Sequence, residues 1–130
     1  MTDDLRGVRL GIDWGVARIG VAACDAGGVL AYPVETISPA TDARVVRERM
    51  EAIVAEYEPV VAYLGLPRHL AGNEGESAAK ARGQARWLAT TFPDVAVHLV
   101  DERQLEAPGP VGARMVEIWR AAEADLGIDP

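Results

Sequence analysis

Leu10-Gly11-Ile12-Asp13-Trp14-Gly15, followed by Arg18-Ile19-Gly20-Val21-Ala22, is the stretch on which the architecture turns. An apolar run carries one carboxylate, Asp13, to the end of a strand. Gly15 then allows a tight reversal, because glycine accepts backbone angles that other residues avoid. The chain returns as a second β-rich run. An acid at the tip of a central strand is well placed to hold a metal ion or face a phosphate; the alternative is an aspartate that only caps a turn.

Working outward, Val8 to Asp13 reads as a buried strand and Arg18 to Asp25 as a second. Gly27-Gly28 turns the chain into a third strand, Val29 to Ile37. Short connections make these antiparallel neighbours, and Pro33 breaks the third strand or puts it at an edge. From Thr41, apolar residues at Val46, Met50, Ile53, Val54 and Tyr57 recur at helical spacing. Thr41 is the expected N-cap, Asp42 favours the first turn, and Pro59 ends the helix. Val60 to Gly65 is a fourth, interior strand. A second helix is expected from an Asn73 cap, with Ala78, Ala81, Ala85, Leu88, Ala89 and Phe92 on its apolar side and Pro93 at its end. Val95 to Val100 is the fifth strand, closing in Asp101-Glu102-Arg103. After Ala107-Pro108-Gly109-Pro110, a third helix is expected from about Val111 to Leu126.

Strands separated by helices need crossovers and form parallel pairs. The order therefore predicts an α/β fold: a mixed five-stranded sheet, three strands antiparallel and then two parallel, flanked by helices. The 130 residues fit a single domain, 1–130.

Composition narrows the function. With 49% hydrophobic and 25% charged residues the chain is globular. No apolar run reaches the roughly 20 residues that span a bilayer, and Met1 to Gly7 lacks the apolar core of a signal peptide. The single cysteine, Cys24, falls inside a strand and fits a reducing cytoplasm. A net charge of −7 argues against broad, non-specific nucleic-acid binding, but leaves room for a local basic face and for clustered acids. The cations are arginines apart from one lysine, Lys80, and arginine's planar fork suits phosphate.

Three strand ends carry the chemistry. If strands one, four and five are parallel neighbours, Asp13, Gly65-Leu66-Pro67-Arg68 and Asp101-Glu102-Arg103 share one edge. Ligands of open α/β sheets bind outside the carboxyl ends of the strands. Asp13 with Asp101 or Glu102 would then supply oxygen ligands for Mg²⁺ or Mn²⁺, the chemistry of metal-dependent phosphodiester cleavage. Arg18, Arg68 and Arg103 fall at or near this edge as candidate nucleic-acid contacts. Trp14 beside it is placed to stack on a base or to pack. His69 and His98 are expected to be structural, Cys24 has no adjacent base, and Trp87 and Trp119 are expected in the core.

Taken in order, Ile12-Asp13-Trp14-Gly15, Arg18-Ile19-Gly20-Val21-Ala22, Pro33-Val34-Glu35-Thr36-Ile37, Gly65-Leu66-Pro67, Gly72-Asn73-Glu74-Gly75 and Val100-Asp101-Glu102-Arg103 resemble the YqgF family over residues 8–103. That family has an RNase H-like fold and is linked to Holliday junction cleavage and to maturation of the small-subunit ribosomal RNA precursor. The resemblance implies a metal-dependent endonuclease acting on structured nucleic acid, either 5′-end processing of pre-16S rRNA or junction resolution. Its catalytic and metal-binding acids would be Asp13, Asp101 and Glu102. Resolution of a two-fold junction would suit a dimer, and an RNA-processing enzyme a monomer.

The chain departs from the family after Arg103. Residues 104–130 lack the usual threonine pair and basic loop, and the helical aspartate position is Ile118. Glu117 beside it is a candidate metal ligand, but neighbouring helix positions point about 100° apart, and Glu123 and Asp125 lie further along. This departure sustains a reading from another class, a catalytically impaired relative that binds nucleic acid or protein. A third class, the actin-like ATPases, also places an Asp-x-Gly turn near phosphates, but encloses its nucleotide between two such domains.

Overall fold

The computed structural model describes residues 7–24, 31–66 and 74–101, with the backbone alone at 31, 66, 74–78 and 101. Along the chain run β1 (Arg9–Trp14), β2 (Ile19–Cys24), β3 (Ala31–Ile37), α1 (Ala43–Tyr57), β4 (Val61–Leu66), α2 (Glu74–Thr91) and β5 (Ala96–Asp101). They form one sheet in the order β3-β2-β1-β4-β5. The β1–β2 and β2–β3 pairs are antiparallel, and β1–β4 and β4–β5 are parallel. The expected mixed sheet is thus observed, with strand ends shifted by a residue or two. Val95 lies before β5 rather than in it, its N–H donating to the Phe92 carbonyl at 3.0 Å.

Alternation along the strands explains the core. Leu10 and Ile12 of β1, Ile19 and Val21 of β2, and Ala62 and Leu64 of β4 share one side of the sheet. Against it pack Val46, Met50 and Ile53 of α1 and Leu88 of α2, so both helices cover the same face. Side chains such as Met50 and Leu64 are 1% and 0% exposed, and burial of each contributes about 1.5–3 kcal/mol. The opposite parity brings Arg9, Ala22, Cys24 and Tyr63 to the other face, where all four are also buried.

Pro33 stands in edge strand β3, at an irregularity where the register passes from Val21↔Glu35 to Ala22↔Pro33. Skipping one residue spares the sheet a hydrogen bond that proline cannot donate. Helix α1 corrects the sequence reading at its start. Asp42, not Thr41, is the N-cap, and its Oδ1 accepts from the N–H groups of Arg44 and Val45 at 3.1 and 3.3 Å. Its end is as expected: Glu58 adopts the left-handed region (φ 46°) just before Pro59 and donates its N–H to the Val54 carbonyl at 2.9 Å. In α2, Ala81 and Leu88 are buried, but Ala89, expected on the apolar side, is exposed. The stripe turns away from it toward Ala85 and Phe92.

An exposed bidentate pair, Arg49 to Glu35 at 2.7 Å through both oxygens, clamps α1 to β3. The β3–α1 connection is tied to the β1–β2 turn, because Ala40 donates its N–H to the Ala17 carbonyl at 2.9 Å. This bond brings the start of α1 beside the carboxyl end of β1. No helix among the described residues is long and apolar enough to cross a membrane. The Gly27-Gly28 turn, the 68–72 loop, the Asn73 cap, His69, Trp119 and the helix expected over 111–126 lie outside the described residues.

Candidate active site

The edge formed by the carboxyl ends of β1, β4 and β5 collects the first residues of the expected site. Asp13, half-buried, is the penultimate residue of β1 and pairs with Gly20 of β2. Asp101 ends β5 opposite Leu66 of β4. Because β4 runs between them, the two backbones stand two strand spacings apart, about 10 Å. Ile12 is level with Leu64, and Leu66 with Asp101. Asp101 therefore occupies the level of Trp14, one residue beyond Asp13.

Asp13 is held by a short hairpin. After Trp14↔Ile19, the last rung, Gly15 donates its N–H to the Arg18 carbonyl at 2.9 Å. The reason for a glycine differs from the expected one. Gly15 does not use the left-handed region; a Cβ there would stand 2.9 Å from the Arg18 carbonyl oxygen. The need is room for a close backbone approach, and side-chain bulk would push apart the turn beside Asp13. Arg18, in this turn, is exposed at the same edge.

The structure thus brings Asp13, Asp101 and Arg18 to one edge. Glu102, Glu117, Arg68 and Arg103 lie outside the described residues. Among the described residues, no group of three or more His, Cys, Asp or Glu side chains gathers as a metal cage. Cys24 is buried. His98 is exposed and lies against Tyr63, with ring centroids 5.9 Å apart and planes at 30°.

Two features escape a reading of the sequence. Arg9, in a strand that looks apolar, is 1% exposed on the face away from the helices. Its charge acts on Tyr63, whose phenol is pushed up chiefly by burial, with Arg9 opposing and Cys24 adding to the rise. The second feature is a groove of about 640 Å³ between α1 and α2, with Trp14 and Trp87 in its lining. Trp87 packs against the core, as its helix position suggests, but is only partly buried and also lines this groove. The cations Arg44 and Arg47 one turn apart, and the single lysine, were the signal in the sequence.

Sheet order β3-β2-β1-β4-β5, two helices on one face and acids at the ends of β1 and β5 define an RNase H-like α/β fold. A solved structure, T. thermophilus RuvC in complex with Holliday junction substrate, shares that fold with a TM-score of 0.61 at 19% identity, covering 93% of this chain and 96% of that one. Closer relatives by sequence carry the name "Putative pre-16S rRNA nuclease". That of Streptomyces avermitilis is 48% identical over 84% of this chain, and that of Streptomyces coelicolor 49% over the same share. The chain spans 69% and 65% of the lengths of these two proteins. The family model described as RuvX, Holliday junction resolvase, matches residues 7–105. The chain belongs to this RuvX (YqgF) family.

Proposed function

We propose that this chain is a metal-dependent endonuclease that hydrolyses phosphodiester bonds in structured nucleic acid, with the pre-16S rRNA precursor as substrate. The observation that carries the reading is the position of Asp13. It is a half-buried carboxylate at the carboxyl end of a central strand, with the end of β5 two strands away on the same edge. Relatives 48–49% identical and named as pre-16S rRNA nucleases support RNA as the substrate, and the family description supports a branched DNA as the competitor.

The donor chemistry fits Mg²⁺ or Mn²⁺: the acids offered at this edge are oxygen ligands, which hard divalent cations select. A bound ion of this kind supplies a Lewis acid and a water of lowered pKa. Asp13 anchors the site from β1. By alternation, Val100 rather than Asp101 shares the parity of Asp13 across the sheet. We assign the catalytic roles to Asp13, Asp101 and Glu102, with Asp13 foremost and Glu117 completing the metal set. Arg18, exposed at the edge, meets substrate phosphate, joined by Arg68 and Arg103. A cytoplasmic setting belongs to the same reading, since Cys24 is a buried thiol and the substrate class is ribosomal precursor RNA.

The test is cleavage of a labelled rRNA precursor and of a four-way DNA junction, with Mn²⁺ or with chelator, by the wild type and by Asp13→Asn. Metal-dependent cutting of the RNA that Asp13→Asn abolishes is the expected result. Preference for the junction would replace the substrate and keep the chemistry. No cutting of either by folded protein would make the chain a binding module that retains the fold without the reaction.

A further inference from the structure

The groove between α1 and α2 is not explained by a nuclease edge alone. Its described lining comprises Trp14 and Trp87, Arg44, Arg47 and Lys80, with Gly83 and other small residues between them. Among the described residues three cations and no carboxylate line it, in a chain whose net charge is −7. Arg44 and Arg47 each reach an acid one turn on, Glu48 at 3.4 Å and Glu51 at 3.3 Å, but those acids lie outside the lining and the pairs are well exposed. Exposed pairs of this spacing hold weakly and yield to a better anion. Lys80 is exposed.

Gly83 gives an independent indication. It stands mid-way along α2, where glycine weakens a helix. A Cβ there would meet nothing within 4 Å, so no packing constraint calls for glycine. What Gly83 does preserve is open space in the groove. Trp14 in its lining neighbours Asp13 at the carboxyl end of β1 but by alternation lies on the helix-covered face, so a strand leaving the candidate active site enters the groove by passing over that edge of the sheet.

Resting on the reading of the chain as a nucleic-acid enzyme, we propose that this groove seats an unpaired stretch of the substrate strand, with bases against Trp14 and Trp87 and phosphates along Arg44, Arg47 and Lys80. Stacking on indoles is tolerant of sequence, and cations along the rim track the backbone, the combination by which proteins hold single strands. A volume of about 640 Å³ lies within the range of sites that take small organic ligands, and so accommodates nucleobases. The site thus lets the enzyme select the single-stranded junctions of a structured substrate rather than a continuous duplex.

The experiment is titration of the full chain with U₁₀ RNA, in chelator to prevent cutting, followed by tryptophan fluorescence over a series of salt concentrations. Saturable quenching is expected for the wild type. In Arg44→Gln/Arg47→Gln/Lys80→Gln, which changes exposed residues only, affinity falls at least tenfold and the salt slope drops by about 2, near 0.7 for each phosphate no longer neutralised. Arg82→Gln/Arg86→Gln, on α2 but outside the groove lining, is the control and keeps both within a factor of two. Gly83→Leu raises Tm and weakens binding. The proposal is overturned if quenching is absent, if the triple variant keeps the wild-type slope, or if the control variant loses as much per charge as the triple. Cleavage with Mn²⁺ on the same preparations separates this proposal from the nuclease reading. Strand binding without cutting sinks only the latter, and cutting with an unchanged slope sinks only the groove.

Discussion

The indoles of Trp14 and Trp87 meet at right angles, their centroids 6.1 Å apart and their planes at 87°. Trp87 makes a second contact of the same kind with Phe92, at 6.1 Å and 88°. One residue of α2 thereby joins the end of β1 to the end of its own helix, and each edge-to-face pair contributes about 0.5–1.5 kcal/mol beyond area burial. Trp87→Ala breaks both. Full truncation of a buried tryptophan costs about 3–5 kcal/mol, and partial exposure lowers this to about 2–3 kcal/mol at Trp87. Urea unfolding should give that loss, with Trp87→Phe recovering at least half of it.

The α1 cap separates two neighbouring residues. Asp42 Oδ1 accepts two backbone N–H bonds, whereas Thr41 caps nothing. Asp42→Ala should destabilise by about 1 kcal/mol, Asp42→Ser by a fraction of that, and Thr41→Ala by less than about 0.5 kcal/mol. Thermal unfolding of the three variants checks the order. Equal losses at both positions would show the cap to be shared.

Much of the architecture was legible because it rests on period and punctuation. Apolar runs between turn residues marked the strands, Pro59 and Pro93 ended the helices, and Pro33 marked either a break or an edge. The Asp13 end of β1 was legible for the same reason, since an acid closing an apolar run has few places to go in a sheet. Where the reading slipped, two residues offered the same chemistry. Thr41 and Asp42 are both good caps, and only the backbone path decides between them. Ala89 looks apolar in sequence, but an alanine carries too little surface to decide which way a helix turns. Arg9 could not be read as buried from its type, because arginine is rarely buried. The groove was hidden because it belongs to no single element: its cations come from α1 and α2 and its indoles from β1 and α2.

The clamp between Glu35 and Arg49 makes stability depend on pH. Arg49's hydrogen bonds hold the Glu35 carboxyl below its ordinary value of 4.5, against partial desolvation, and the guanidinium charge adds to the lowering. The folded pKa is thus below the unfolded one, so the stabilisation is present near neutral pH and is lost as pH falls through the folded pKa. Tm should be higher for the wild type than for Glu35→Gln near neutrality, and the gap should close well below pH 4.5. The pair is partly exposed, so added salt should narrow the gap too. Arg49→Lys should lose most of the benefit, because an ammonium cannot reproduce the two parallel bonds. A gap that persists in strong acid would assign the effect to packing.

Tyr63 presents the opposite case, a polar atom whose removal should do no harm. Its side chain is 1% exposed, and its hydroxyl has no hydrogen-bond partner among the described residues. A buried hydroxyl without a partner keeps its desolvation penalty and gains nothing in return. Tyr63→Phe removes that penalty while keeping the ring and its stack on His98. The variant should be as stable as the wild type or more stable by up to about 1 kcal/mol. Burial pushes the phenol up, so it stays neutral through the physiological range and the difference should not change between acid and neutral pH. Tyr63→Leu, which also removes the ring, should cost about 2 kcal/mol or more through poorer packing. Urea unfolding of both variants is the check. A Tyr63→Phe variant weaker by more than about 1 kcal/mol would mean that the hydroxyl makes a bond worth keeping in solution, and would turn attention to the buried guanidinium of Arg9 beside it.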